Sequence, residues 1–189
     1  MNKDKLPGTV LELNTSEGEA FDTISQILRV TGGITLAQLG EIAGVEGTTI
    51  QNWVKRGWVD SPKNKRYTET STARVIIINM LRNTLQLSSI VELMAYVNGL
   101  VGDRSDDIIP DSELYNKLCR IVAEAEHSEV YGKEGLKKII AANISDYREP
   151  YTGARRKLEK ALLVMTLAYL SSELKKLSQA ELDTLDSKQ

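Results

Sequence analysis

Thr48, Gln51, Asn52 and Lys55 lie three, one and three positions apart. On a helix that spacing puts them on one face. Their chemistry suits a nucleic-acid groove: amides can pair with two edge atoms of adenine, and lysine can reach guanine or phosphate. A solvated face on an ordinary helical hairpin has the same composition. The following segment separates the two readings. From Glu46 to Arg82 there are seven basic residues, Lys55, Arg56, Lys63, Lys65, Arg66, Arg74 and Arg82, against Glu46, Asp60 and Glu69, in a chain whose net charge is −2. A local basic patch is the electrostatic footprint of nucleic-acid binding. Lys63-Asn64-Lys65-Arg66-Tyr67 lies in a polar, non-helical stretch, where a wing would meet the phosphate backbone.

Other chemistries lack their residues. With 189 residues, 41% of them hydrophobic, the chain can bury a real core. It carries one histidine, His127, and one cysteine, Cys119. A zinc site needs three or four ligands, a disulfide needs a pair, and a Ser-His-Asp arrangement has only His127 to draw on. No phosphate-cradling glycine loop or nucleophile–base pair is visible, so we expect no enzyme, no cofactor and no metal. Asp103, Asp106 and Asp107 read as a flexible linker rather than a cation site. No signal peptide and no run of membrane-spanning length is seen, which predicts a cytoplasmic protein away from membranes. The sequons at Asn14-Thr15-Ser16 and Asn143-Ile144-Ser145 therefore carry no weight.

The elements that must position the polar face follow from period and punctuation. Residues 1–18 predict a loose arm. Phe21, Ile24, Ile27 and Leu28 predict one face of a short helix ending at Gly32-Gly33. Thr35 caps a helix carrying Leu36, Leu39, Ile42 and Ala43, and Gly44 ends it in a left-handed turn. Thr48–Arg56 forms the next helix, with Ile50, Trp53 and Val54 inward, Val45 and Ile50 pinning the pair, and Gly57 as the stop. A small hairpin is expected near residues 58–67. Thr70 or Ser71 starts a helix through Val75, Ile78, Leu81 and Leu85; Leu87-Ser88-Ser89 turns into another carrying Ile90, Leu93, Met94 and Val97. Asn98-Gly99 and Gly102–Pro110 are the clearest break. Beyond it, Asp111 caps a helix with Leu114, Leu118, Ile121 and Val122; Leu136, Ile139 and Ile140 mark a second; a third runs from about Arg155 toward Leu185.

Ala43-Gly44-Val45, Thr49-Ile50, Arg56-Gly57-Trp58-Val59, Pro62 and Arg66-Tyr67 resemble the winged helix-turn-helix of MerR-type regulators, and Leu85–Ile90 resembles that family's turn into its fourth helix. Ile50–Val59, Asn64–Tyr67 and Ile77–Arg82 are more similar still to an uncharacterised bacterial family, domain of unknown function eighteen thirty-six, with this MerR-like head. The resemblance covers about residues 34–100. It implies double-stranded DNA as partner, with Thr48, Gln51, Asn52 and Lys55 at bases or nearby phosphates. Lys63, Lys65, Arg66 and Tyr67 would hold the backbone as a wing. Arg56 would serve either a phosphate or its own helix C-terminus, while Trp53 and Trp58 read as core. The chain departs from the MerR pattern where Gln51-Asn52-Trp53 replaces the usual Arg-Tyr-Tyr, and the wing is short and lacks its glycine. These departures argue against the family's promoter-untwisting mechanism.

The C-terminal part has nearly balanced charges and no basic patch. Leu163, Leu167, Leu170, Leu174 and Leu177 alternate steps of four and three, a heptad seam suited to a homodimer or to an intrachain bundle. Leu158, Leu162, Met165 and Tyr169 form a second stripe. Cys119 beside Leu118 reads as core, and His127 as a surface or capping residue at a helix end. The expectation is an all-α protein: residues 1–33 an arm and short helix, 34–100 a MerR-like (winged) helix-turn-helix head, and 101–189 a helical bundle for dimerisation or effector sensing. The functional expectation is a dimeric, sequence-specific transcriptional regulator. The alternative is a protein-interaction module on the same scaffold.

Overall fold

The computed structural model describes residues 5–11, 20–99, 101–103 and 105–186. The sequon at Asn14 and most of the expected arm lie outside the described residues. Among those described, the protein is all helix: α1 (Asp22–Thr31), α2 (Leu36–Ala43), α3 (Gly47–Lys55), α4 (Glu69–Leu81), α5 (Leu87–Asn98), α6 (Asp111–His127), α7 (Lys133–Asn143) and α8 (Ala154–Asp186). Two isolated antiparallel bridges, Ile34 with Tyr67 and Lys63 with Arg66, pair described residues with one another. No helix described is long and apolar enough to cross a membrane.

α4 is the axle. Ten of its residues are buried, including the unbroken run Ser71–Ile78, as a helix enclosed on all sides requires. It packs against α2, α5, α6 and α8, while α6, α7 and α8 pack on one another. Thr68 is its N-cap, accepting from the Ser71 N–H. The expected start at Thr70 or Ser71 is thus one or two residues late, because Thr68 supplies the capping hydroxyl and stands outside the helix. The helix ends at Leu81, leaving Leu85 half-buried in the connection to α5.

The N-terminal segment is anchored where it is described. Leu6 is buried, the Tyr115 hydroxyl donates to the Pro7 carbonyl at 2.7 Å, and the Asn79 amide donates to the carbonyls of Gly8 and Ala43. In α1, Phe21, Ile24 and Leu28 are buried but Ile27 is 41% exposed, which removes it from the expected apolar face. Phe21 meets Tyr115 edge-on at 5.9 Å, fastening α1 to α6.

The break between α5 and α6 is also tied down. The Asn98 side chain, fully buried, donates to the Ile109 carbonyl at 2.7 Å and to Asp111 at 2.8 Å. Ile108 and Ile109 are buried, and the Tyr147 hydroxyl donates to the Ile108 carbonyl. Asp111 does not cap α6. Pro110 stands at the N-cap, and Asp111 is the first helical residue, 1% exposed, with its carboxylate 2.8 Å from Arg74 Nε.

α8 splits its two stripes. Leu158, Leu162 and Met165 are core and Tyr169 is half-buried. Of the heptad leucines, Leu170 is only 4% exposed and packs inside its own chain, so it is unavailable to a partner; Leu163 is half-buried, and Leu167, Leu174 and Leu177 face outward.

Candidate nucleic-acid interface

The candidate recognition unit is built from local sequence. Thr35 and Gln38 form a reciprocal capping box at the start of α2. Leu39, Ile42 and Ala43 face the core, and Gly44 closes the helix at φ +63°, where a side chain would be strained. The turn folds back so tightly that a Cβ on Gly40 would sit 2.8 Å from the Val45 carbonyl oxygen. Val45 is buried, and α3 begins after Glu46. Ile50 and Trp53 hold α3 from beneath. Thr48, Gln51, Asn52 and Lys55 are all exposed on its other side.

Arg56 is the C-cap of α3, and its guanidinium lies 4.9 Å over the Trp58 ring. Arg82 likewise sits 5.9 Å over Trp53. Both rings are structural in part: Trp53 is buried and Trp58 half-buried. The cations above them keep α3 fixed at its far end.

In place of a hairpin with strands there is a two-residue turn. Asn64 and Lys65 both adopt positive φ, 50° and 63°, between Lys63 and Arg66, whose backbones exchange two hydrogen bonds of 2.9 Å. Positive φ at both central residues is the primed-turn geometry that fits the twist of a hairpin. Lys63 and Lys65 are exposed at this tip.

Two expected wing contacts are corrected. Tyr67 is 3% exposed and exchanges backbone hydrogen bonds with Ile34, so it belongs to the core; burial pushes its phenol up from the ordinary value. Arg66 is half-buried, and its Nη1 donates to the Gly33 carbonyl at 2.8 Å, which commits it to holding the loop. Arg74, counted in the basic patch, is also lost to it: the side chain is 2% exposed and paired with Asp111. Outward-facing charge therefore comes from Lys55, Arg56, Lys63, Lys65 and Arg82.

Reading residues in sequence missed three positioning groups: Asn79, the Arg82–Trp53 stack and the Arg74–Asp111 pair. A signal for the last was present. Arg74 immediately precedes Val75-Ile76-Ile77-Ile78, and a helix apolar all round offers its arginine no route to water. Cys119 is buried and His127 is exposed at the end of α6. Among the described residues no three His, Cys, Asp or Glu side chains are grouped to hold a metal.

A curated relative, "Uncharacterized protein YkrK" of Bacillus subtilis (strain 168), is 29% identical over 100 residues, 51% of this chain and 42% of that protein. The chain thus matches less than half the length of that relative. No solved structure matches. Residues 23–118, from α1 into α6, match the family described as "Domain of unknown function (DUF1836)", and the chain belongs to that family.

Proposed function

We propose that this protein is a sequence-specific DNA-binding transcriptional regulator of the MerR-like type, acting as a dimer. The observation that carries the reading is the two-sidedness of α3. Ile50 and Trp53 lock it to the body while Thr48, Gln51, Asn52 and Lys55 stand free, followed in the chain by a turn tip bearing Lys63 and Lys65. Amide and hydroxyl groups on a rigid helix can read base edges, and the lysines can neutralise phosphates.

The dimer reading rests on the end of α8. Residues 174–185 are exposed on every side, with Leu174, Leu177, Leu182 and Leu185 between 44% and 68% exposed. An isolated helical stretch of about 12 residues is marginal in water. A second copy laid along these leucines would bury them, and paired copies would present two α3 helices to two half-sites.

Fluorescence anisotropy on fragments from the gene's own upstream region, with unrelated competitor DNA and a salt titration, tests the reading. Binding should survive competitor and weaken as salt rises. Reversing Lys63 and Lys65 to glutamate should weaken binding on all sequences and flatten the log–log salt slope by about 2, one per lost phosphate contact. Arg66 is unsuitable for this test because its loss disturbs the loop. A protein-interaction module is the second reading, favoured by the overall net charge of −2 and by Gln51 where the MerR pattern has arginine. Absence of DNA binding at low salt would select it.

A further inference from the structure

One outward stripe joins the packed half of α8 to its open end. Val164, Leu167, Leu174, Leu182 and Leu185 are 39% to 68% exposed. Ser171 and Ser178, also exposed, stand in the places between them. From Val164 to Leu185 the steps are 3, 4, 3, 4, 4 and 3, with Leu182 one place past the strict heptad position at Glu181. The stripe passes beside Leu170, which is core, rather than through it. We propose that two copies pair antiparallel along this stripe, the open end of each α8 lying on the packed half of the other. This pairing rests on the dimer reading above and is independent of DNA binding.

The stripe is complementary to itself when reversed, as a two-fold interface requires. With the axis between Leu174 and Lys175, Val164 of one copy meets Leu185 of the other, Leu167 meets Leu182, and Ser171 meets Ser178. The small serines let the helices approach on either side of the axis, and Leu174 packs near it. Ser172 is the last buried residue described in α8. Each body therefore ends close to the axis, and the arm of the other copy covers the Val164 and Leu167 that the body leaves open. A parallel pair would have to seat body on body at the same level.

Charge favours the same direction. The first turn of α8 holds no acidic residue and the last turn no basic one. Arg156 and Lys160 are exposed near its start, Glu181 and Asp183 near its end. That distribution opposes the helix's own dipole, which favours acids at the start and bases at the end. An antiparallel neighbour offsets the dipole and sets the acidic end of one helix toward the basic start of the other. A parallel neighbour stacks like on like.

Sedimentation of the full chain from about 1 to 100 µM should show a reversible dimer with Kd on the order of micromolar. Val164→Glu, on the body, should raise Kd at least about tenfold while the monomer still melts cooperatively. Leu185→Glu, on the open arm, serves if that variant does not fold. Direction is read by cross-linking with oxidised glutathione. Ser171→Cys and Ser178→Cys are prepared separately, and the unsubstituted chain, whose single cysteine Cys119 is buried, is the control. The mixture should form a disulfide-linked dimer and neither variant alone should. In the antiparallel pair each position stands about 10 Å along the axis from its own copy, beyond disulfide reach. Self-linking of each variant with no gain on mixing overturns the antiparallel direction and leaves the dimer reading standing. A dimer indifferent to Val164→Glu and unlinked in the mixture overturns the location in the same way. A monomer at 100 µM overturns this pairing and the dimer reading together.

Discussion

Between α5 and α6 the chain is rich in Asp, Gly and Pro, the composition of a linker, yet it is tied down: Asn98, Ile108, Ile109 and Asp111 are all buried. Toward the end of α8 the chain is regular helix in which Leu174 and Leu177 continue the heptad steps, the composition of a packed seam, yet these two, with Leu182 and Leu185, lie open. The difference lies in partners distant in sequence. Asp111 is held by Arg74, 37 residues away, and Tyr147 closes over Ile108 from 39 residues away. No such partner covers the leucines at the end of α8. Composition reports what a segment tolerates; the partner decides what it does.

The sharpest test of that contrast is Asp111→Ala. It removes the carboxylate that both Arg74 and Asn98 use and leaves a guanidinium buried without its counter-charge. The expected loss is about 3–5 kcal/mol in urea unfolding. A loss under about 1 kcal/mol would mean that the junction behaves as the linker its composition suggests.

A smaller effect of opposite sign is expected inside the bundle. Thr72 on α4 and Thr166 on α8 are fully buried, and neither hydroxyl has a hydrogen-bond partner among the described residues. Thr166→Val keeps the shape and removes the unsatisfied group. It should stabilise the protein by about 1 kcal/mol, read as a raised urea midpoint with an unchanged slope. At the open end of α8, Leu174→Ala with Leu177→Ala should change the unfolding free energy of the isolated chain by less than about 0.5 kcal/mol. The same pair should lower the dimer fraction in sedimentation if a second copy covers this face. A large loss of stability in dilute monomer would show that these leucines already pack within the chain.

The helices were legible because their ends are written locally: Thr35 with Gln38 and Gly44 bound α2, and Gly57 follows α3. The outward face of α3 was legible for the same reason, since the spacing of Ile50 and Trp53 fixes which residues oppose them. What escaped was the fate of individual charges. Arg66, Arg74 and Lys63 look alike in a charge count, but Arg66 turns to the Gly33 carbonyl, Arg74 to Asp111, and only Lys63 remains exposed. Tyr67 escaped because its backbone pairs with Ile34, 33 residues earlier, which turns a loop residue inward. Asp111 escaped because a cap and the first helical residue stand one position apart, and only the tertiary partner separates them.

The gentlest test compares a second charge pair with the Asp111 pair. Lys117 Nζ, from a side chain 1% exposed, lies 3.1 Å from Asp146, which is 75% exposed. The hydrogen bond from Lys117, then its charge, holds the Asp146 carboxyl below the ordinary carboxylate range. A carboxyl lowered in the folded state contributes stability above its unfolded value, and that contribution is lost as pH falls through the folded value. Stability should therefore decline from about pH 5 downward. Glu134 and Asp103 are lowered too, by hydrogen bonds from Lys137 and Ser105, and add to the slope with the same sign. Asp146→Asn isolates the one contribution: below pH 5 its stability should fall less steeply than that of the unsubstituted protein, by the share that Lys117 supplies. Because Asp146 faces water, salt should shrink that difference, whereas the buried pair of Arg74 and Asp111 should respond little. Equal salt sensitivity of the two pairs would show that burial does not separate them, and the contrast between a tied junction and an open surface would lose its electrostatic half.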